Sequence, residues 1–104
     1  MTTHVFFLNT LRDDARPDEY EQWLREVDYP VSRSLPAIDS YRVVRVDGSL
    51  HGGGIPGDYL EIVEINDLDR YRAEIAALPG RERFLRELRS FVGDAQAFHG
   101  TVVS

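Results

Sequence analysis

The first apolar segment of the chain, residues 4–11, is the feature that most constrains the fold. It reads as a β-strand in which both faces are apolar. The two faces carry Phe6 and Leu8 on one side, and Val5, Phe7 and Leu11 on the other. A strand that is apolar on both sides needs a covering layer above and below it. The fold must therefore place this strand between two layers.

A long amphipathic helix with an internal proline is predicted next. Pro17 suits the first position of this helix, which runs to about residue 35. Its apolar residues recur at helical spacing and are Tyr20, Trp23, Leu24, Val27, Val31 and Leu35. Pro30 has no N–H and clashes with the carbonyl of Glu26, so we expect a kink there, with Tyr29 displaced from helical angles.

The remaining segments complete two strand–helix–strand units. Residues 40–46 and 58–65 are predicted strands, and the loop between them, residues 48–57, contains five glycines. This loop is expected to be a flexible hairpin tip or a mobile lid. A second helix, interrupted at Pro79-Gly80, follows, and residues 97–103 form the last predicted strand.

This order of elements predicts an α+β fold, a ferredoxin-like β-α-β-β-α-β sheet with both helices on one face. We expect residues 1–104 to form one domain. Because the helices cover only one side of the sheet, the second apolar face requires another partner. The simplest arrangement is a homodimer in which two sheets pack face to face, which is a dimeric α+β barrel. A monomer with scattered exposed apolar residues is the alternative.

The composition excludes several classes of function. A net charge of −6 argues against binding to nucleic acid, which requires a basic surface. All twelve basic residues are arginines, so lysine Schiff-base chemistry and P-loop schemes are excluded. The chain has no cysteine, which excludes thiolate nucleophiles and disulfides. Neither a membrane span of about 20 apolar residues nor a signal peptide is visible, so we expect a soluble cytoplasmic protein.

No standard catalytic motif is present, and the candidate site rests on polar residues in apolar surroundings. The three histidines show no metal-ligand spacing, so no metal and no cofactor is expected. Asn9 and His99 interrupt the first and last strands, which are antiparallel neighbours in this fold. We expect them to lie close together on one face. Strand parity leaves open whether this is the face beneath the helix that carries Asp28, Tyr29 and Arg33, where they would form a pocket, or the face at the dimer interface. Ordinary core packing is the alternative explanation for each.

Each candidate residue has a proposed role. His99 is the candidate general acid or base, and Asp28 or Asn9 would orient it or bind substrate. Trp23, Tyr41 and Phe84 suit the walls of a site for a flat aromatic ligand, although they equally suit a core. Arg42 and Arg45 lie on opposite faces of their strand, so one faces inward. That arginine would bind a carboxylate or an oxyanion, or pair with Glu61 or Glu64.

The chain resembles the RedY-like (HapK-like) family of small bacterial proteins. The resemblance rests on residues 4–8, Glu26-Val27-Asp28-Tyr29-Pro30, residues 33–36, Asp58-Tyr59-Leu60-Glu61, residues 90–93 and His99-Gly100-Thr101-Val102. It implies a dimeric α+β barrel and a tailoring role without a bound cofactor in secondary metabolism, such as that of prodiginine or bisindole pigments. It also implies Asp28, Tyr29, Arg33 and His99 as site positions.

These observations lead to three functional hypotheses. The first is a cofactor-independent enzyme of the hydro-lyase type, which adds or eliminates water on a planar pyrrole- or indole-derived substrate. In it His99 moves the proton, and Asp28 or Tyr29 assists at the leaving oxygen. The second is a cofactor-free monooxygenase of the same barrel superfamily. The third is a non-catalytic carrier of a reactive intermediate.

Overall fold

Four strands form a single antiparallel sheet in the order β2-β3-β1-β4. The computed structural model describes residues 2–104. Its elements are β1 (Thr3–Leu11), α1 (Pro17–Trp23), a π-helical turn (Leu24–Asp28), α2 (Tyr29–Arg33), β2 (Ile38–Arg45), β3 (Tyr59–Ile65), α3 (Leu68–Ala76), α4 (Arg81–Phe91) and β4 (Val92–Thr101). The predicted α+β, ferredoxin-like order is therefore confirmed.

The core lies between the sheet and the helices, in two adjoining clusters. The first cluster consists of Val5, Ala37, Tyr41, Val63, Ile65 and Tyr71. The second consists of Tyr20, Trp23, Leu24 and Tyr59, against which α4 packs Phe84, Leu88 and Phe91. Aromatic rings dominate the second cluster, where Tyr20 meets Tyr59 edge-on at 4.9 Å between ring centroids. This packing holds α1 and the π-helical turn against β3.

The opposite face of the sheet is also apolar. Phe6 on β1 pairs in register with Ile62 on β3 and Phe98 on β4, and its ring stacks on Phe98 at 5.3 Å. Phe98 is 50% exposed and Val44 is 45% exposed. The prediction that β1 is apolar on both sides is thus confirmed, and the helices within residues 2–104 cover one of these sides.

The last strand begins earlier than its sequence suggested. β4 starts at Val92, directly after α4, whereas the predicted strand began at residue 97. The reason is that β1 offers a partner along its full length, with Leu11 opposite Val92 across a bulge. The N–H of Arg12 also donates to the carbonyl of Phe91 at 2.8 Å, which fixes the junction. The long, mostly exposed strand thus includes residues 92–96, which the predicted strand left out.

The glycine-rich loop connects two antiparallel strands, β2 and β3, as a hairpin connection. Gly52 and Gly53 have φ angles of 87° and 93°, a region that favours glycine. Its role as a lid remains a prediction.

Two kinds of feature are absent from the part of the chain that the structure describes, residues 2–104. None of the helices there combines the length and the apolar character needed to cross a membrane. No three His, Asp or Glu side chains there are grouped so that they could hold a metal ion.

Candidate functional site

Pro30 is accommodated by a widened helical turn rather than by a break. The turn covers Leu24–Asp28, and the N–H of Tyr29 donates to the carbonyl of Leu24, five residues back. Pro30 then lies in the first turn of α2, where a missing N–H costs little. Tyr29 has φ −59° and ψ −49°, so the expectation that it leaves helical angles is wrong. The wide turn relieves the proline clash while the backbone remains helical.

The wide turn also changes which residues face the sheet. One extra residue in a turn rotates the helix that follows by roughly one position, about 100°. As a result Asp28 and Ser32 are buried, whereas Val27 and Val31, predicted for the apolar stripe, are only partly buried. The turn therefore places a carboxyl group, not a valine, over the centre of the sheet.

Asp28 is linked through Tyr41 to two further polar side chains that rise from the sheet. The Tyr41 hydroxyl on β2 lies within hydrogen-bond distance of Asp28 Oδ2 and at 2.6 Å from Glu61 Oε1 on β3. Asn9 Nδ2 on β1 donates to the other oxygen, Oε2, of Glu61 at 2.6 Å. Asp28 and Tyr41 are each 5% exposed and Asn9 is 3% exposed. We refer to Asn9, Asp28, Tyr41 and Glu61 as the carboxyl network.

The carboxyl network holds a proton more tightly than isolated carboxyl groups do. The Tyr41 hydroxyl has one hydrogen and can donate to only one of its two carboxyl neighbours. The other contact is a normal hydrogen bond only when that carboxyl is itself protonated and donates to the phenol oxygen. Burial, and then repulsion by Glu61, raises the pKa of Asp28 to about 7, against the hydrogen bonds from Tyr41 and Ser32.

Burial likewise raises the pKa of Glu61, while its bonds from Tyr41 and Asn9 oppose that shift. Burial and the two neighbouring carboxyl groups raise the pKa of the Tyr41 phenol. The carboxyl groups therefore share a proton near neutral pH, and Tyr41 stays neutral. A group of this kind can donate and take back a proton at physiological pH.

A cavity of about 420 Å³ lies beside this network, between the helical segment and the edge of the sheet formed by β2. Its apolar and aromatic lining consists of Leu24, Tyr29, Val43 and Tyr59. Its charged lining consists of Glu21, Arg25, Arg33 and Arg45. The volume is typical of small-molecule sites, which lie between about 300 and 1,000 Å³. We refer to this cavity as the arginine pocket.

One wall of the arginine pocket is a fixed ion pair. Arg45 donates to both oxygens of Glu21, at 2.7 Å and 2.5 Å, and the Tyr59 hydroxyl donates to the same carboxylate at 2.7 Å. These bonds lower the pKa of Glu21 to about 2. Burial, and then the bond to Glu21, raises the pKa of Tyr59 to about 12. The carboxylate in this wall is thus already occupied by protein groups.

Tyr29 separates the arginine pocket from the carboxyl network. Its ring meets the Tyr41 ring edge-on at 5.1 Å, and the Arg33 guanidinium lies 4.6 Å from its centroid. The N–H of Val43 donates to the Tyr29 oxygen at 2.7 Å. Because that oxygen accepts this bond, its own hydrogen is free to donate to a ligand. The network therefore lies one side chain inward from the pocket.

The structure gathers most, but not all, of the predicted site residues in this region. Asp28, Asn9 and Tyr41 lie in the carboxyl network, and Tyr29, Arg33 and Arg45 line the arginine pocket. Trp23 and Phe84 pack against each other in the core, with ring centroids 5.2 Å apart. Arg45 is the inward arginine of β2, but it pairs with Glu21 rather than with Glu61 or Glu64.

His99 shares the helix-covered face of the sheet with Asn9, but it does not lie near Asn9. It pairs in register with Val5, whereas Asn9 pairs with Ala95, which lies four residues before His99 in β4. His99 is exposed and lines a separate cavity of about 210 Å³ beside α3. The expectation that Asn9 and His99 lie close together is therefore wrong. Two residues of neighbouring strands can share a face and still be about 13 Å apart, at about 3.3 Å per residue.

Glu61 is the site residue that sequence reasoning missed, since it was considered only as a partner for an arginine. The available signal was strand parity. Glu61 has the same parity in β3 as Tyr59, Val63 and Ile65, all of which are buried towards the helices. A carboxyl group on the buried face of a strand requires polar partners, and Tyr41 and Asn9 supply them.

Comparisons with known proteins place this chain in a family. The model of the family described as REDY-like protein HapK matches residues 3–103. A search of curated proteins gave no match.

Among solved structures, the chain is similar to HapK from Hahella chejuensis, with a TM-score of 0.73 and 24% identity over 100% of this chain and 95% of that one. It is also similar to a dimeric ferredoxin-like protein of unknown function from Thermobifida fusca, with a TM-score of 0.73 and 19% identity over 98% and 92% of the two chains. A further similar structure is SnoaB, a cofactor-independent oxygenase from Streptomyces nogalater, with a TM-score of 0.73 and 18% identity over 99% and 93%. At these identities the structures establish the shared fold, and the family match covers almost the whole sequence. The chain therefore belongs to the REDY-like HapK family.

Proposed function

We propose that this chain is a cofactor-independent tailoring enzyme of secondary metabolism that adds or eliminates water on a planar pyrrole- or indole-derived intermediate. The observation that carries the proposal is the Tyr41 hydroxyl between two carboxyl groups, the buried Asp28 and the partly buried Glu61. One of these groups retains a proton near neutral pH, which is what a general acid needs. The adjoining pocket, which has tyrosines in its lining, supports a small aromatic substrate.

In the elimination direction the substrate is a carbinolamine, a carbon that carries both a hydroxyl group and a nitrogen. The acid transfers its proton to the hydroxyl oxygen as the C–O bond breaks, and the nitrogen lone pair forms a C=N bond. Water leaves, and the cationic product then gives a proton from its nitrogen, or from the adjacent carbon, to the carboxylate. The acid is restored, and neither an oxidant nor a reductant is consumed.

The proposal assigns the proton to the carboxyl network rather than to His99, because His99 lies in another cavity. Asp28 is the donor, Tyr41 and Glu61 hold its proton in place, and Asn9 binds the second oxygen of Glu61. Tyr29 covers the network, and its ring is held at its outer end by one hydrogen bond from Val43. Rotation of the Tyr29 ring opens the acid to a substrate in the arginine pocket.

A cofactor-free monooxygenase is the second candidate function, and the similarity in fold to SnoaB, described as a cofactor-independent oxygenase, favours it. Such an enzyme would need an electron-rich substrate and oxygen. A non-catalytic carrier of a reactive intermediate is the third, and the arginine pocket alone would suffice for it. The three differ in what happens to the mass of the bound molecule.

The test is to incubate the purified protein with the carbinolamine-type intermediate, with and without oxygen, and to follow the product by mass spectrometry. The proposal predicts a product lighter by one water, formed equally in both conditions. It also predicts that Asp28→Asn lowers kcat by about 100-fold or more, while the exposed control Asp13→Asn retains it. A product that gains oxygen and forms only with O₂ identifies the monooxygenase, and recovery of unchanged substrate identifies the carrier.

The proposal includes a homodimer, in which two copies bury the sheet face that carries Phe6 and Phe98. Its support is the exposed apolar character of this face and the similar Thermobifida fusca structure described as dimeric. Light scattering should give a mass of twice 11.9 kDa. A mass of one chain at micromolar concentration would contradict this part of the proposal.

A further inference from the structure

The arginine pocket has a charge pattern that the acid–base proposal does not use. Three guanidinium groups, those of Arg25, Arg33 and Arg45, line it together with the single carboxylate of Glu21. The chain as a whole has a net charge of −6, so this pocket is a local reversal of the overall charge. A concentration of one sign of charge in a concave site raises the local concentration of ligands of the opposite sign.

Glu21 neutralises only one of the three arginines, because its carboxylate is paired with Arg45 and also accepts a hydrogen bond from Tyr59. Both of its oxygens accept hydrogen bonds from Arg45, and Oε2 also accepts one from Tyr59. Within residues 2–104, the ion pairs at 4.0 Å or less include neither Arg25 nor Arg33. These two guanidinium groups therefore remain available to an anion that enters from solvent.

The rest of the lining suits a flat apolar body. The partly buried Tyr29 offers an aromatic surface and the partly buried Val43 an aliphatic one, while Tyr59 and Leu24 line the pocket with little accessible surface. The Arg33 guanidinium lies over the Tyr29 ring at 4.6 Å, so a planar group beside that ring comes within reach of its charge. Guanidinium groups bind carboxylates through paired N–H donors, a geometry that a planar aromatic acid can match.

We infer that the arginine pocket binds a planar aromatic acid, with its carboxylate at Arg25 and Arg33 and its ring system against Tyr29. This inference names the substrate class of the proposed function and rests on it only in treating the bound acid as the substrate. The carboxyl group of the ligand enters the pocket ionised. The opposite end of the ligand lies towards Tyr29 and the carboxyl network. A neutral aromatic molecule of the same shape lacks the contact that the two arginines provide.

The binding test uses 2-naphthoate and its neutral analogue 2-naphthamide, with NMR titration of the purified full chain. We expect the Kd of 2-naphthoate to be lower than that of 2-naphthamide by about tenfold or more, because only 2-naphthoate makes the charged contact with the arginines. The difference should shrink as salt is raised, because both arginines are exposed to solvent. Inorganic phosphate, which carries charge without a ring, should bind more weakly than 2-naphthoate.

Variants identify the contact. Arg25→Gln and Arg33→Gln should each weaken 2-naphthoate binding by about fivefold to tenfold and leave 2-naphthamide binding unchanged. The matched control is Arg86→Gln, an exposed arginine on α4 outside the pocket, which should change neither. Unchanged amide spectra away from the pocket show that the variants remain folded.

Three results would overturn the inference: equal binding of 2-naphthoate and 2-naphthamide, phosphate binding as tight as that of 2-naphthoate, or no binding of either aromatic probe. Equal loss of affinity in Arg86→Gln would also overturn it, since the effect would then come from net charge. Because these experiments measure binding alone, 2-naphthoate binding that persists while the water-loss assay fails would reject the proposed reaction and leave the pocket assignment intact.

Discussion

Replacing Asp28 by Asn should remove most of the pH dependence of stability that the carboxyl network creates. Asn has nearly the same shape as Asp and can donate a hydrogen bond to the Tyr41 oxygen, but it does not titrate. In the wild-type protein, burial and the nearby Glu61 raise the pKa of Asp28 from 3.8 to about 7. The unfolded chain, in contrast, has an ordinary carboxyl group at this position.

The sign of the effect follows from proton binding in the two states. Between about pH 4 and pH 7 the folded state retains the Asp28 proton and the unfolded state has released it. The stabilisation is therefore complete below about pH 4, and it is lost as the pH rises through about 7. A shift of about three pKa units at 1.36 kcal/mol each corresponds to about 4 kcal/mol, as an upper limit for a group that shares its proton with Glu61.

The assay is urea denaturation at about pH 5 and about pH 8, at one fixed protein concentration because a dimer makes stability concentration-dependent. Wild-type protein should lose up to about 2.5 kcal/mol of unfolding free energy between these pH values, because part of the full effect is already lost by pH 5. Asp28→Asn should lose much less. The control Asp13→Asn, at an exposed position, should follow the wild type. If Asp28→Asn retains the full wild-type loss, Asp28 does not hold the proton and the reasoning is refuted.

Three further predictions test neighbouring parts of the account. Tyr41→Phe removes the hydroxyl that both carboxyl groups contact. Urea denaturation should therefore show a free energy of unfolding lower by about 1–3 kcal/mol, and a decrease below about 0.5 kcal/mol would contradict the network. Gly57→Ala places a Cβ about 2.9 Å from Cγ of Leu8 and 3.3 Å from the Asn9 carbonyl oxygen. This crowding should lower the free energy of unfolding by about 1–3 kcal/mol. A variant as stable as the wild type would show that the neighbouring atoms move aside without cost. The kcat of the water-loss reaction should fall as the pH rises through about 7, because the general acid is then deprotonated. A rate that rises over this range would indicate a general base instead.

The sequence predicted the layers of this fold better than it predicted positions along each element. Strand parity correctly assigned both apolar faces of β1 and placed Asn9 and His99 on the same face, because side-chain direction alternates strictly. Parity carries no information about register along the strand, and so it could not show that His99 lies opposite Val5. The family resemblance, confirmed over residues 3–103, supported the same order of elements.

The carboxyl network was harder to predict because a backbone irregularity creates it. A regular helix phased on Tyr20 and Leu24 directs Val27 and Val31 at the sheet, and only the widened turn brings Asp28 and Ser32 there. The proline indicated an irregularity but did not specify its form. The burial of Glu61 depends in turn on Tyr41 and Asn9 being close to it in space, which no local pattern encodes.

The measurement that tests the central claim most directly is a ¹³C NMR titration of the carboxyl carbons in the wild type and in Asp28→Asn. The account predicts that one Asp carboxyl titrates near pH 7, that its signal is missing in Asp28→Asn, and that one Glu carboxyl has a pKa above its ordinary value. If every carboxyl group of the wild-type protein titrates below about pH 5, the buried pair holds no proton at neutral pH. The proposed general acid would then not exist.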